Sequence, residues 1–149
     1  MFVKVLIDAD GCPVVGIAAD LCQSYHVPCR ICCDTAHEFS RTDVEVFVFD
    51  KGADSVDFAI TGQVCPGDIV INQDYGLASM CLARCARVIH QDGWEYTTDN
   101  IDALLLARHE ARKHRAAGGR IKGPKKRSKQ SDKAFAATLE HLLQTAVQG

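Results

Sequence analysis

Short apolar runs alternate with helical patterns along this chain, and this alternation constrains the fold more than any other feature of the sequence. The apolar runs occupy residues 2–7, 27–33, 44–49, 69–71 and 86–90. Apolar residues at helical spacing follow them, at 13–22, 54–60, 75–84, 97–108 and from about 131 onward. Such alternation predicts an α/β fold, with a mainly parallel central sheet and helices on both of its faces. We expect residues 1–149 to form a single domain.

The composition is that of an ordinary globular protein, with 47% hydrophobic and 24% charged residues. No apolar run approaches the ~18–20 residues that a membrane-spanning helix needs, so we expect no membrane partner. The first residues show no charged leader, apolar region and small-residue cleavage site of the kind found in secretory signals. This predicts a cytoplasmic protein.

Eight cysteines raise the question of disulfides or zinc. In a chain without a visible secretory signal, and large enough to build a core, buried free thiols are the expected state. Cys29, Cys32 and Cys33 resemble half of a zinc site, but no second pair of ligands stands at a familiar spacing. Zinc is therefore not expected.

Aspartates follow several of the predicted strands. Asp8 and Asp10 follow the first strand, and Asp74 follows the strand at 69–71. Asp54 and Asp57 lie at the start of the helix after the strand at 44–49. Because the carboxyl ends of parallel strands meet at one edge of a sheet, we expect these side chains to converge. Asp10 and Asp54 have an alternative role as caps of the helices that follow them.

Carboxylates that are brought together repel one another, which should raise their pKa values. A hard divalent cation with oxygen ligands compensates this charge. The sequence thus predicts a site for Mg²⁺ or Mn²⁺ formed by Asp8, Asp10, Asp54, Asp57 and Asp74. Such a cation can lower the pKa of a water molecule and stabilise a phosphoryl transition state, and its binding should stabilise the fold.

Two classes of enzyme place the pattern D-x-D after a first strand. In haloacid dehalogenase-like phosphatases the first aspartate is a nucleophile and the second a general acid. Residues 6–11 fit their opening motif, but Cys12 and Pro13 do not. The acidic Asp68 precedes its strand, so we expect it at the opposite edge of the sheet, as a turn residue. The phosphatase is the alternative to the second class, the PIN and NYN nucleases, which hold divalent metal in a cluster of acids.

Five dispersed segments form a distinctive set: Asp8-Ala9-Asp10-Gly11-Cys12-Pro13-Val14, Asp54-Ser55-Val56-Asp57, residues 67–78, Asn100-Ile101-Asp102, and residues 118–124. On these segments the chain resembles the uncharacterised bacterial YaiI/YqxD family, which is related to PIN and NYN nucleases, from residue 6 to about 143. The resemblance implies a PIN-like fold. It also implies that Asp8 and Asp74 match the first-strand and late-strand acids of PIN-like nucleases, and that Asp57 matches the acid of the intervening helix. Asp10 is a feature of the narrower family.

The basic residues of the chain are concentrated in one segment. Between residues 108 and 133, 11 Lys and Arg stand against 2 acids, a net charge of +9, whereas the remainder has 6 basic and 17 acidic residues, a net charge of −11. Lys and Arg hold a phosphate backbone without reading its sequence. The expected substrate-binding residues, centred on a basic loop at about 115–130 before the C-terminal helix, are Arg112, Arg115, Arg120, Lys122, Lys125, Lys126 and Arg127. A solubilising loop is the alternative for this segment.

Together these features predict a PIN-like hydrolase, a divalent-metal-dependent nuclease that acts on the phosphodiesters of nucleic acid, with RNA placed ahead of DNA. The expected catalytic residues are Asp8, Asp10, Asp57 and Asp74. The non-enzymatic alternative is a nucleic-acid-binding module that kept the fold and lost the metal.

Overall fold

The computed structural model describes residues 3–34, 44–49, 55–116, 118 and 127–148. In chain order its elements are β1 (Val5–Asp8), α1 (Val15–Ser24), β2 (Cys29–Cys33), β3 (Glu45–Val48), α2 (Ser55–Gln63), β4 (Ile69–Ile71), α3 (Tyr75–Ala83), β5 (Arg87–Ile89), β6 (Glu95–Tyr96), α4 (Thr98–Ala116) and α5 (Lys129–Gln148). Within the described ranges, none of these helices has the length and apolar character needed to traverse a lipid bilayer.

The strands form one sheet in the order β3-β2-β1-β4-β5-β6. The first five are parallel, and β6 pairs antiparallel with β5. This confirms the α/β class with a mainly parallel sheet, in a layout consistent with that of PIN-like domains. From β1 the sheet continues through β2 to β3, and from β4 it continues the opposite way through β5 to β6. The carboxyl ends of β1 and β4 therefore flank a topological switch point. Open α/β sheets form their binding crevice at this position.

Helices cover both faces of the sheet, as predicted. Helices α1 and α5 pack on the first face, where Val5 and Ile7 of β1 are buried. Helix α5 places Phe135 and Leu139 there with no exposed surface, and burial of each side chain stabilises the fold by about 1.5–3 kcal/mol. Helices α2, α3 and α4 pack on the second face, around Leu6. Because side chains alternate along a strand, Asp8 projects on the same face as Leu6.

Two helix starts differ from the sequence predictions. Helix α1 begins at Val15, with Val14 as its N-cap residue and no side-chain capping hydrogen bond, so it does not open at Pro13. The alternative role of Asp10 as the cap of this helix is therefore wrong. Helix α5 begins at Lys129, slightly before the predicted start near residue 131. The short strand β6 was not predicted, because two residues carry too little periodicity to be recognised.

All eight cysteines are free thiols, but they are not all buried. Cys65 and Cys85 are exposed, so the expectation of burial is wrong for these two. Both lie in the connections that lead into β4 and β5, and such connections run over the surface of a domain. Burial in the core on the second face of the sheet raises the pKa of the Cys32 and Cys81 thiols to about 12, so both stay protonated at neutral pH.

Candidate acidic site at the carboxyl edge of the sheet

Asp8 is the last residue of β1 and stands at the switch point between β1 and β4. Burial raises the pKa of its carboxyl group to about 7, and the charges of four further aspartates act in the same direction. In decreasing order of effect these are Asp57, Asp10, Asp74 and Asp34. The rise in pKa that was expected from neighbouring carboxylates is therefore found at Asp8, where burial is the largest cause and the four aspartates add to it.

Asp74 is held in place by the start of α3. Its Oδ1 atom accepts hydrogen bonds from the backbone N–H groups of Gly76, at 2.7 Å, and Leu77, at 3.3 Å. These are the bonds of an N-cap residue, and they satisfy amide groups that a helix leaves without partners. The Nη1 atom of Arg108, on α4, lies 3.6 Å from the same oxygen. All three of these contacts are to Oδ1, and no contact of Oδ2 with another described residue accompanies them.

Asp10 and Asp34 join the ends of β1 and β2. The Oδ2 atom of Asp10 accepts a hydrogen bond of 2.8 Å from the backbone N–H of Asp34. The backbone N–H of Ala9 donates to the carbonyl of Cys32 at 2.9 Å, which extends the β1–β2 ladder beyond Asp8. The sequence analysis missed Asp34. It follows a predicted strand directly, and the rule that selected Asp8 would have found it.

Asp57 lies in the first turn of α2 and completes the group from the second face. Together with Asp74 and Arg108 it lines a cavity of about 370 Å³ between α2, α3 and α4. A neighbouring cavity of about 380 Å³ shares Asp74 and Arg108 and reaches Gln73. Arg108 thus stands between two openings beside the acids, although the sequence analysis counted it only as part of the basic segment.

Asn72 is a buried polar residue at the end of β4. Its Oδ1 atom accepts a hydrogen bond of 2.9 Å from the backbone N–H of Asp74, which fixes the orientation of the amide. Its Nδ2 atom is buried without a hydrogen-bond partner among the described residues. An unsatisfied buried donor costs about 1–3 kcal/mol, so its retention at this edge suggests a ligand or water as its partner. No catalytic motif in the sequence pointed to this amide.

The charges of Asp57, Asp10 and Asp74 act on Asp8, whereas Asp54 lies outside the described residues. Across the described ranges, no three His, Cys, Asp or Glu side chains stand close enough together to hold a metal ion. The acids therefore surround Asp8 electrostatically without forming a closed cage.

The predicted substrate-binding residues are distributed unevenly. Arg112 and Arg115 are exposed on α4, and with Arg108 they follow the spacing i, i+4, i+7 that places side chains on one stripe of a helix. Arg127 is engaged within the fold, because its guanidinium bonds Asp132 at 2.7 Å and Asp92 at 2.8 Å. Four further predicted residues lie outside the described residues: Arg120, Lys122, Lys125 and Lys126.

Asp68 lies at the opposite edge of the sheet, as predicted, just before β4. It forms an ion pair of 2.6 Å with Lys4 and accepts a hydrogen bond from the backbone N–H of Cys65. It therefore holds the turn before β4 and takes no part in the acidic site.

Comparison with known proteins gives one family. The model of the family described as "Uncharacterized BCR, YaiI/YqxD family" matches residues 6–145. A UPF0178 protein of Exiguobacterium sibiricum is 49% identical over 94% of this chain and 96% of its own length. UPF0178 proteins of Clostridium acetobutylicum and Natranaerobius thermophilus are 42% and 43% identical, over 94% of this chain and 96% and 95% of their own lengths. No solved structure matches the chain significantly.

Proposed function

The chain belongs to the YaiI/YqxD family, and we propose that it is a divalent-metal-dependent nuclease that hydrolyses phosphodiesters of RNA or DNA at the acidic edge of its sheet. One observation carries this proposal. Asp8 stands at the switch point of the sheet with its pKa raised to about 7 by burial and by four neighbouring acids. A fold that keeps ionisable groups in such mutual repulsion gains nothing in stability from them, which is typical of a functional site.

The chemistry of the acidic side chains suits a divalent cation, although no three candidate ligands of the described residues already stand at the spacing of a metal site. Asp8, Asp10, Asp57 and Asp74 supply the hard oxygen ligands that Mg²⁺ and Mn²⁺ prefer, and two of these carboxylates are already oriented by backbone N–H groups. Such a cation, when bound, offsets the charge that develops on a phosphoryl group and makes water a better nucleophile.

The protein's own residues would hold the substrate and the cation. Arg108 offers a planar guanidinium beside the acids, and Arg112 and Arg115 continue the basic stripe along α4, so a nucleic-acid backbone can follow this helix. Asp8, at the centre of the acids, would contribute its carboxylate to the cation, whose charge favours the deprotonated form. The buried amide of Asn72 would help to position Asp74, because its Oδ1 atom accepts a hydrogen bond from the backbone N–H of Asp74.

The decisive experiment is cleavage of labelled single-stranded RNA and DNA in the presence of Mn²⁺ or Mg²⁺. The double variant Asp8→Asn/Asp74→Asn keeps the size of both side chains, and Asn is as good an N-cap residue as Asp. Asp20→Asn is the matched control, because Asp20 is exposed on α1, on the other face of the sheet. We expect metal-dependent cleavage by the wild type and by Asp20→Asn, and none by the double variant. Equal cleavage by the double variant would assign the activity to a contaminant.

A second candidate function is a nucleic-acid-binding module without catalysis. It is favoured by the finding that, in the part of the chain that the structure describes, no three candidate ligands already stand close enough to hold a metal. Binding that weakens with salt, is indifferent to EDTA and is never followed by cleavage would select this function. In that case p-nitrophenyl phosphate is the next substrate to test, because a phosphatase is the remaining enzymatic alternative.

A further inference from the structure

Phe58 is the most exposed large apolar side chain of the described residues, with 70% of its surface accessible. It lies on α2 directly after Asp57, one of the acids that act on Asp8. Thirteen of the described residues are buried in the core on this face of the sheet, and Phe58 is not among them. The ring is therefore accessible to a ligand at the edge of the acidic site.

The ring of Phe58 borders the acidic site. It lines the cavity of about 370 Å³ between α2, α3 and α4, together with Met80, which is itself 38% exposed. The polar side of the same cavity is formed by Asp57, Asp74 and Arg108. One opening therefore combines an aromatic ring, a thioether, a guanidinium and two carboxylates.

A nucleotide has the matching distribution of chemistry, because a flat apolar base and an anionic phosphate are joined through one sugar. Aromatic side chains stack on any base, and an adaptable methionine contacts flat apolar groups of different shape. A guanidinium binds phosphate with directed hydrogen bonds. We propose that Phe58 and Met80 form a base-stacking subsite, which places one nucleobase in this cavity while Arg108 binds the adjoining phosphate.

This inference rests on the proposed function and narrows its substrate. A base within a duplex is stacked on both sides and cannot lie against Phe58 unless it leaves the helix. The subsite therefore selects single-stranded or locally opened nucleic acid. Gly76 lines the same cavity, and a Cβ atom at this position would stand 3.2 Å from the Oδ1 atom of Asp74, which accepts its backbone N–H.

The test measures the equilibrium binding of two labelled single strands by fluorescence anisotropy. EDTA is present so that no metal-dependent cleavage occurs. One is a 12-mer oligodeoxyadenylate, and the other is a 12-mer of abasic sites with the same number of phosphates. We expect the wild type to bind the base-containing strand more tightly. We expect Phe58→Ala to lose roughly 5- to 150-fold in affinity for that strand and little for the abasic strand, the range expected for one stacked base.

Two further variants sharpen this test. Phe58→Trp keeps a stacking surface, so it should retain the affinity and show quenching of the added indole, measured against the background of Trp94. Val147→Ala removes an apolar side chain that is 54% exposed on α5, away from the cavity, and should bind like the wild type.

The subsite and the nuclease can fail separately. An unchanged affinity of Phe58→Ala for the base-containing strand overturns the subsite, whatever the cleavage assay gives. A base-dependent loss without any metal-dependent cleavage supports the subsite and overturns the nuclease. If Phe58→Ala changes the sedimentation of the free protein and not its affinity for either strand, the ring belongs to a contact between copies of the chain, and the subsite is overturned.

Discussion

Two aspartates of the same sheet, Asp8 and Asp68, show opposite solutions to the burial of an acid. Asp68 has 1% of its surface accessible at the amino edge and is fully partnered. Lys4 lies 2.6 Å from its Oδ2 atom, and the backbone N–H groups of Lys4 and Cys65 donate to its carboxylate. Asp8, at the carboxyl edge, has four aspartates around it, and no cation of the described residues lies within ion-pair distance of it.

The difference separates a structural acid from a functional one. Asp68 is buried and Asp8 is partly buried, so both carboxyl groups lose contact with water. The sign of the surrounding charge distinguishes them, because Asp68 has its counter-ion inside the fold and Asp8 requires one from outside. Substitution at the two positions should therefore change the stability of the protein in opposite directions.

The largest effect is expected at Asp68. Replacing Asp68 by Ala leaves Lys4, which is largely buried, without its partner and removes the acceptor of two backbone N–H groups. Breaking a buried pair from one side costs about 3–5 kcal/mol, and we expect a loss of this size in the free energy of unfolding. Urea denaturation measures it. A loss below about 1 kcal/mol would show that the pair is better solvated than its burial indicates. The double variant Lys4→Met/Asp68→Ala should recover part of the loss, because it leaves no unpaired ammonium group.

The second prediction concerns Asp8 and has the opposite sign. The pKa of Asp8 is raised to about 7 in the folded protein from 3.8, so the protein is most stable when this group is protonated and loses stability as the pH rises towards 7. The slope approaches ~1.4 kcal/mol per pH unit. Without divalent cations, Asp8→Asn should therefore be more stable than the wild type at pH 8, by ~2–4 kcal/mol. Denaturation at pH 5, 6, 7 and 8 measures this, and parallel curves for the two proteins would contradict it.

The third prediction concerns a divalent cation as the counter-ion of Asp8. A ligand that binds only the folded state stabilises it by RT ln(1 + [L]/Kd), which is ~1.4 kcal/mol at ten times Kd and ~2.7 kcal/mol at one hundred times Kd. We expect Mg²⁺ or Mn²⁺ to raise the melting temperature of the wild type at pH 8 and EDTA to reverse the change. Asp8→Asn should show a much smaller shift, whereas Asp20→Asn should respond like the wild type. Equal shifts in all three proteins would indicate that the ions bind elsewhere.

The sequence predicts the fold better than it predicts the site. The strand at 69–71 coincides with β4, and the helix at 75–84 matches α3 to within one residue, because both are bounded by strong signals in Pro66-Gly67 and Asp74. The β6 strand was missed because its pairing with β5 depends on a tertiary contact and not on periodicity. The parallel order of the strands also required that the acids after β1 and β4 meet at one edge.

The contents of the site beyond those acids depend on contacts between distant segments. Arg108 is an ordinary member of a basic helix in the sequence, and only the packing of α4 beside α3 brings it to Asp74. Helix α2 is too short for its sequence periodicity to predict whether Phe58 is exposed or buried. Its exposure is visible only in the structure, where α2 packs on the sheet. Of Arg108, Phe58 and Asp34, which the sequence analysis missed as site residues, only Asp34 could have been found from its position directly after a predicted strand.

The smallest effect on stability is expected at Arg108, although its effect on binding should be large enough to measure. Its pair with Asp74 spans 3.6 Å and both side chains are about 40% exposed, so Arg108→Gln should change the free energy of unfolding by less than about 1 kcal/mol. Removal of one phosphate contact should weaken the binding of a single-stranded oligonucleotide for all sequences alike. It should also reduce the slope of log K against log salt by about 1. Arg84→Gln, an exposed arginine at the other end of α3, is the matched control. If Arg108→Gln keeps the wild-type salt slope, Arg108 serves only to neutralise Asp74, and the acidic edge would then carry its own internal cation as Asp68 does.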